Sequence, residues 1–310
     1  MRILVTGGAG YIGSILVHEL LKRDFAVTVI DNFMYGQASL NHLCAYRNLD
    51  VIRGDIRDEG LMKQQIKGHD LILPLAALVG APLCRFDRVG AKTINHDSIE
   101  FLLQEVSKNQ IIIMPTTNSA YGSGGKNNFC NEESELKPLS EYAIDKVAVE
   151  KKLMQHPNVI SFRLATVFGM SSRMRIDLLV NDFTYRAVND KFVVLFEAKF
   201  KRNYIHVRDV SNAFIHAIDN YASMKNEIFN VGLSDANLSK EELCSKIKTV
   251  IPDFVYFEEH LQEDPDKRDY IVSNAKIEKA GFIPQWTLED GIRELEKGYR
   301  MLKNRKYGNI

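Results

Sequence analysis

The sequence predicts an α/β fold in which a doubly wound parallel sheet carries a smaller α/β lobe. In the first half of the chain, short apolar runs alternate with helical patterns, which is typical of parallel strands covered by helices on both faces. After Gly169 this rhythm stops, and shorter, uneven elements with more basic and polar residues follow. We therefore predict a first domain at 1–168, to which parts of 200–222 return, and a second lobe at 169–310.

The apolar runs and helical patterns locate the individual elements. Predicted strands lie at 2–5, 26–30, 50–53, 70–73, 110–114, 159–162 and 227–231. Predicted helices lie at 14–23, 58–66, 87–107, 141–155 and 209–220. Two further helices are predicted to begin at the capping boxes Ser239-x-x-Glu242 and Thr287-x-x-Asp290.

Charge and cysteine usage limit the classes of partner. The 310 residues carry 40 Lys+Arg and 40 Asp+Glu, so we expect neither nucleic acid nor an anionic membrane as a partner. No apolar stretch reaches the length of a membrane span, and the chain starts on a strand pattern rather than a signal segment. The four cysteines are scattered, with no C-x-x-C pair. We therefore predict a cytoplasmic protein with structural thiols and no metal site.

A glycine-rich turn follows the first predicted strand at once. Thr6-Gly-Gly-Ala-Gly-Tyr-Ile-Gly13 lies between that strand and a helix, the context that a dinucleotide-binding turn requires. Glycines there let the backbone turn tightly and approach a pyrophosphate, and the helix N-terminus attracts the phosphates. We predict that the turn binds a cofactor in a Rossmann-type domain through Gly7, Gly10, Tyr11, Ile12 and Gly13. A simple glycine turn is the alternative.

An acidic residue at the end of the second strand indicates which dinucleotide binds. Asp31 lies eighteen residues after Gly13, where a carboxylate accepts hydrogen bonds from the ribose hydroxyls of NAD and repels the extra phosphate of NADP. Asn32 follows it, with no arginine beside it in the sequence. We therefore predict NAD as the cofactor, with Asp55 and Ile56 near its adenine. An ordinary strand-end aspartate is the alternative.

Three residues form a candidate catalytic set. Tyr142 and Lys146 lie four residues apart, so they share one helix face. A phenol with a pKa near ~10 is a poor base at neutral pH, but a neighbouring ammonium favours the phenolate. The Thr117 hydroxyl then holds the substrate oxygen while the phenolate removes its proton and hydride leaves the same carbon for NAD. By itself, Y-x-x-x-K occurs by chance in many helices.

Together these motifs resemble the extended short-chain dehydrogenases/reductases of the NAD-dependent epimerase/dehydratase family, over essentially the whole chain. Besides the motifs above, the resemblance is carried by Gly54-Asp55, Leu75-Ala-Ala77, Asn95, Arg163 to Gly169 and Arg202-Asn-Tyr-Ile-His-Val-Arg-Asp209. It implies a nucleotide-sugar substrate and cofactor contacts from Leu75, Ala76, Ala77 and Asn95. It also implies a homodimer through the helices near 87–107 and 141–155.

The resemblance also implies the substrate contacts. Arg202 matches the phosphate-binding arginine of the family, and Arg268 is a second candidate for the diphosphate. Arg173 and Arg175 lie in the loop expected to approach the sugar, and Asn181 is expected at the diphosphate or the sugar. Thr117 and Asn118 complete the predicted set. The alternative is that each of these arginines is a solvated surface residue, and this alternative is weakest for Arg202.

Comparison within the family narrows the reaction. Asn118 and Ser119 stand where 4,6-dehydratases carry an Asp-Glu pair, which opposes dehydration. Thr166 stands where many 4-epimerases have Asn. The run 169–183 is similar to bacterial surface-polysaccharide enzymes that oxidise C4 of GDP-D-glycero-D-manno-heptose, so GDP-heptose 4-dehydrogenation in capsular polysaccharide biosynthesis, with a GDP-linked rather than a UDP-linked substrate, is the first hypothesis. A 4-epimerase of the UDP-glucose type is the alternative, and a non-catalytic NAD(H) sensor is a remote one.

Overall fold

The computed structural model describes residues 1–123, 129–259 and 268–302. The sequence just before Arg268, at 264–267, and the end of the predicted second lobe, at 303–310, lie outside the described residues. The strands are β1 Arg2–Thr6, β2 Ala26–Asp31, β3 Leu49–Arg53, β4 Leu71–Pro74, β5 Ile111–Thr117, β6 Phe129–Cys130, β7 Val159–Leu164, β8 Thr166–Phe168, β9 Phe192–Leu195, β10 Lys201–His206, β11 Glu227–Val231, β12 Asn237–Ser239, β13 Val255–Glu258 and β14 Ile271–Val272.

The α-helices are α1 Gly13–Leu21, α2 Glu59–Lys67, α3 Ala81–Phe86, α4 Arg88–Lys92, α5 Ser98–Glu105, α6 Glu141–Leu153, α7 Leu179–Asn189, α8 Val207–Asp219, α9 Tyr221–Met224, α10 Lys240–Val250, α11 Ala275–Lys279 and α12 Leu288–Met301. Turns of 3₁₀ helix lie at Asn41–Leu43 and Asn118–Tyr121, and a π-helical segment lies at Thr93–Asp97. In the described part of the chain, no helix is long and apolar enough to cross a membrane. The cytoplasmic location stays a prediction.

The main sheet has seven parallel strands in the order β11-β7-β5-β4-β1-β2-β3. Every residue of β4 and β7 is buried, as expected for strands covered by helices on both faces. The predicted doubly wound parallel sheet is therefore confirmed. In its register Thr6 lies opposite Ile30 and Pro74, which brings the glycine turn, the end of β2 and the loop after β4 to one edge of the sheet.

The long helix predicted at 87–107 contains a change of helix type. It runs through α4, the π-helical segment Thr93–Asp97 and α5. Asn95 in that segment donates from its amide nitrogen to Leu78 O and accepts from Leu78 N, both at 2.8 Å. The π-helical turn thus holds the loop after β4, and π-helical turns are frequent at functional sites.

The second lobe is built from short strands that pair with distant partners. β8 pairs with β10, β10 with β12, and β9 with β13. Both predicted capping boxes are present, at Ser239 before α10 and at Thr287 before α12. β11 joins the main sheet beside β7, whereas β10 belongs to a small sheet. In α8, Asp219 forms an ion pair of 2.7 Å with Arg23, just after α1. The predicted domain boundaries stay a prediction.

Candidate active site

A cleft of about 890 Å³ lies at the carboxyl ends of the main-sheet strands, where ligands of such sheets bind. It brings together residues that are far apart in the sequence. The predicted site residues that line it are Gly7, Gly10, Tyr11, Ile12, Gly13, Asp31, Asn32, Asp55, Ile56, Leu75, Ala76, Ala77, Thr117, Tyr142, Lys146, Arg173, Arg175, Arg202 and Arg268.

The glycine turn forms one wall of the cleft and fits a diphosphate. Gly7 has φ +69°, and a Cβ there would lie 2.6 Å from the backbone of Ala76. A Cβ on Gly13 would lie 2.5 Å from Gly7 O. The N-cap of α1 is Ile12, whose side chain has no acceptor, and the positive end of the helix dipole there attracts an anion. These features fit the pyrophosphate of the predicted cofactor.

Asp31 is fixed at the neighbouring end of β2. Its Oδ2 accepts from Ala9 N at 3.0 Å and its Oδ1 accepts from Phe33 N at 2.8 Å. Burial raises the pKa of Asp31, while these two hydrogen bonds and the charge of Arg173 oppose the rise. Each carboxylate oxygen has a further lone pair, so the group can still accept from ribose hydroxyls in the cleft.

We expect Asp31→Asn to weaken NADH binding about tenfold, the size of one lost charge-assisted hydrogen bond. In the variant, the amide nitrogen replaces one carboxylate oxygen and therefore faces a backbone N–H donor, either Ala9 N or Phe33 N. The substitution also removes the negative charge that repels the extra phosphate of NADP. Fluorescence titrations with NADH and NADPH measure both effects. Asp50→Asn, at an exposed position on β3, is the control. Unchanged affinities in Asp31→Asn would contradict this role.

The three predicted catalytic residues meet in the cleft. Ser140 caps α6 by accepting from Ala143 N at 3.2 Å, and the helix directs Tyr142 and Lys146 from one face into the cleft. Thr117 ends β5, and its Oγ1 accepts from Ser119 N at 3.1 Å. The hydroxyl retains its own proton and a second lone pair for a substrate oxygen.

Burial dominates the ionisation of both titratable groups. It raises the pKa of Tyr142 to about 12, and the charges of Arg175 and Arg268 oppose that rise. It lowers the pKa of Lys146 to about 8. Desolvation of the phenolate thus outweighs the charges of Arg175 and Arg268, and the role of Lys146 in favouring the phenolate stays a prediction.

We expect Lys146→Met to stabilise the protein at pH 7 while it abolishes turnover. The pKa of Lys146 falls from 10.5 to about 8 on folding, so at pH 7 folding buries a charge at a cost of roughly 3 kcal/mol. Between pH 8 and 10.5 the wild type folds with a neutral lysine and gains stability, so the advantage of the variant shrinks. Urea unfolding at pH 7 and pH 10 measures this. A variant less stable than wild type at pH 7 would contradict it.

A buried polar network lies behind the catalytic residues and was not predicted. Glu150, one turn after Lys146, forms an ion pair with Arg163 at 2.6 Å, and each side chain is 4% exposed. The Glu150 carboxylate also accepts from Thr116 Oγ1 at 2.8 Å and from Ser161 Oγ at 2.9 Å. Arg163 Nη1 donates to Tyr121 OH at 3.1 Å. The network joins α6, β5, β7 and the turn after Thr117.

The two arginines predicted to approach the sugar lie at different places. Arg173 lies over the Tyr35 ring, 4.1 Å from its centroid, and its charge acts on Asp31. It therefore lies at the cofactor end of the cleft, because its segment is hydrogen-bonded to the glycine turn through Ser171 and Tyr11. Arg175 pairs with Asp177 at 2.6 Å, and its charge acts on Tyr142.

The cations at the opposite end come from β10 and the C-terminal part of the chain. Arg202 donates to Lys201 O at 2.9 Å and lies 5.6 Å from the centroid of the Tyr270 ring. Arg268 donates to Ser119 Oγ. Lys240, at the start of α10, also lines the cleft and was missed, because a lysine after a capping serine has no distinctive sequence signal.

Three predicted contact residues do not line the cleft. Both amide groups of Asn95 and Asn181 are hydrogen-bonded within the protein: Asn95 holds Leu78, and Asn181 binds Gly169 N, Arg175 O and Tyr11 OH. Asn118 is 1% exposed, and neither of its side-chain polar atoms has a partner in the described part of the chain. Asn95 and Asn181 thus position the cleft wall rather than face its contents.

Exposed apolar side chains cluster in sequence around the helices predicted to form a dimer. They are Phe86 at 87%, Val89 at 75%, Leu139 at 56% and Ile144 at 51% exposed. Residues of this kind are common in interfaces between subunits. The homodimer through 87–107 and 141–155 stays a prediction.

Comparison with known proteins gives consistent results along the whole chain. The sequence profile described as NAD dependent epimerase/dehydratase family matches residues 3–232. A UDP-N-acetyl-alpha-D-glucosaminuronate decarboxylase from Bacillus cytotoxicus is 29% identical, over 98% of this chain and 99% of the relative. A dTDP-glucose 4,6-dehydratase from Streptomyces niveus is 28% identical, over 97% and 93%. The crystal structure of UDP-glucose 4-epimerase with UDP-glucose from Thermotoga maritima has a TM-score of 0.84 at 26% identity, over 97% and 99%.

Proposed function

This chain belongs to the NAD dependent epimerase/dehydratase family, and we propose that it oxidises C4 of a nucleotide sugar with NAD as its cofactor. The observation that carries this proposal is the single cleft that contains the glycine turn, Thr117, Tyr142 and Lys146, with arginines at both ends. A dinucleotide-binding wall next to a base and a hydroxyl is the arrangement that hydride transfer from an alcohol requires.

In the proposed reaction, each polar group has a defined task. Thr117 Oγ1 holds the C4 oxygen of the sugar, and the Tyr142 phenolate accepts the proton of that hydroxyl. Lys146 binds the nicotinamide ribose. When bound, NAD accepts the hydride from C4 and brings a positive ring charge that favours the phenolate against the cost of burial. The sugar becomes a C4 ketone.

We infer that dehydration is not part of the cycle. Ser119 accepts from the Arg268 guanidinium, and Asn118 is a buried amide. Neither side chain donates or removes a proton readily near neutral pH, so these two positions supply no acid and base for loss of a hydroxyl group.

The diphosphate is proposed to lie against Arg202 and Lys240, with Arg268 between it and the sugar. All three cations line the same cleft, and guanidinium groups bind phosphate oxygens in pairs.

Two net reactions share this first step. Return of the hydride to the other face of C4 gives a 4-epimerase, which the similarity to the Thermotoga maritima UDP-glucose 4-epimerase supports. Release of the ketone gives a dehydrogenase. The similarity of residues 169–183 to enzymes that oxidise GDP-heptose favours GDP-heptose as the substrate of that dehydrogenase. The names of the three relatives above contain UDP- or dTDP-linked sugars, so we place epimerisation of a UDP-linked sugar first and GDP-heptose oxidation second.

The test is to incubate the purified protein with UDP-glucose and with GDP-heptose separately, following NADH absorbance and the product by NMR. A C4 epimer without accumulation of NADH supports epimerisation. A C4 ketone with stoichiometric NADH supports dehydrogenation. If neither sugar, nor any of a panel of other nucleotide sugars, is converted, the proposed function is wrong.

A further inference from the structure

Two segments from different parts of the chain attach to the glycine turn. The segment after β2 is held to Ala9 O by Ser39 Oγ at 2.7 Å. The segment after β8 is held to Tyr11 O by Ser171 Oγ at 2.7 Å, and Tyr11 OH donates to Gly169 O at 2.7 Å. Both segments are therefore fixed relative to the first turn of α1.

The two segments meet through one pair of side chains. Tyr35 belongs to the first segment and Arg173 to the second, and the guanidinium carbon lies 4.1 Å from the centroid of the ring. Arg173 is 4% exposed, Tyr35 is half-buried, and both line the cleft beside Asp31. A cation over an aromatic face attracts it more strongly where water is excluded.

The far side of the second segment is held as well. Met170 N donates to Glu294 Oε2 at 2.9 Å, and the same oxygen is 2.9 Å from His206 Nε2. Glu294 lies on α12, so the segment that carries Arg173 is fixed between the C-terminal helix and the glycine turn. Arg173 is thus held over Tyr35 from both sides.

From this geometry we propose that Arg173 and Tyr35 form a clasp that closes the adenosine end of the cleft and retains bound NAD. Asp31 marks that end, because it is the residue placed to bind the adenosine ribose. A cofactor that leaves the cleft there must separate the guanidinium from the ring. The clasp therefore slows release of the cofactor without touching the reacting carbon.

The test measures the release of NADH from the full chain, which needs no sugar. NADH-loaded protein is mixed with excess NAD, and the loss of NADH fluorescence gives the dissociation rate. We expect Arg173→Ala and Tyr35→Ala each to speed release about tenfold, equivalent to about 1.4 kcal/mol. The double variant should release no faster than either single variant, because each removes the same contact. Tyr35→Phe, which keeps the ring under Arg173 and loses only the hydroxyl that is hydrogen-bonded to it, should release NADH more slowly than Tyr35→Ala.

Arg300→Ala is the matched control, since the Arg300 side chain is 70% exposed on α12, pairs with Glu296 at 2.6 Å, and lies outside the residues that line the cleft. Should Arg173→Ala fail to fold, as shown by its melting temperature without cofactor, Tyr35→Ala tests the same contact from the other side. Wild-type release rates in folded Arg173→Ala or Tyr35→Ala overturn the clasp. If Arg173→Ala loses NADPH binding but releases NADH at the wild-type rate, the clasp is also overturned, because Arg173 would then bind a phosphate.

The clasp has a consequence that rests on the proposed function. A reaction that returns the hydride to the same sugar needs no exchange of cofactor between turnovers, whereas a dehydrogenase must exchange NADH for NAD. Slow, clasp-limited release therefore favours epimerisation. Release rates are measured without substrate, so failure of the proposed function leaves the test of the clasp intact.

Discussion

Replacing Tyr142 by Phe is expected to lower turnover of the nucleotide sugar at least about a hundredfold, because general base catalysis contributes on that scale or more. The substitution removes the phenolic oxygen that accepts the C4 hydroxyl proton and leaves the ring in the cleft wall. Binding of NADH should stay within about twofold of wild type. Turnover with the active nucleotide sugar, together with an NADH titration, measures the two effects separately.

Tyr185→Phe is the control for this substitution. Tyr185 lies on α7 against Tyr299, with ring centroids 5.2 Å apart, outside the residues that line the cleft. Removing the Tyr185 hydroxyl should leave turnover of the nucleotide sugar unchanged. Full activity of Tyr142→Phe would remove the phenol from the mechanism. A protein that binds NADH but converts no sugar with Tyr142 present would support the NAD(H) sensor instead.

The largest loss of stability is expected on breaking the Glu150–Arg163 pair. Both side chains are 4% exposed, so Glu150→Gln leaves a buried guanidinium without its counter-charge, and Arg163→Met leaves a buried carboxylate. Each should lower the free energy of unfolding by about 3–5 kcal/mol. Urea unfolding followed by circular dichroism measures the change.

A surface pair of similar geometry is the control. Arg300 and Glu296 on α12 are 2.6 Å apart, and the arginine side chain is 70% exposed. Glu296→Gln should change stability by less than about 1 kcal/mol, because water already screens that pair. A loss at Glu150 no larger than that at Glu296 would show that the buried network does not hold α6 in place.

The sequence located the first domain well because its signals are local. The predicted strand at 227–231 coincides with β11, and the others of the main sheet begin within one residue of the observed strands. Buried parallel strands are continuous apolar runs, so each is recognisable without its partner. β8 and β9 are only three and four residues long and pair with β10 and β13. Such short strands depend on distant partners and leave no periodic pattern.

The candidate site likewise has parts that local sequence signals predict and parts that depend on distant contacts. The glycine turn and the Tyr142/Lys146 pair follow from residue types at fixed spacing, and both reach the cleft. The position of Arg173 depends on hydrogen bonds of its segment to Tyr11, which no spacing in the sequence encodes. The absence of an arginine next to Asn32 in the sequence therefore did not exclude one beside Asp31 in space. Glu150 was open to prediction, because it lies four residues after Lys146 on the same helix.

We propose that hydride passes between C4 of a nucleotide sugar and NAD in this cleft. The most direct measurement uses a nucleotide sugar deuterated at C4, mixed with NAD-loaded protein for a single turnover and analysed by mass spectrometry. We predict that deuterium is found on the nicotinamide, or back at C4 of the epimer. Conversion of the sugar with the deuterium lost to water would contradict the claim.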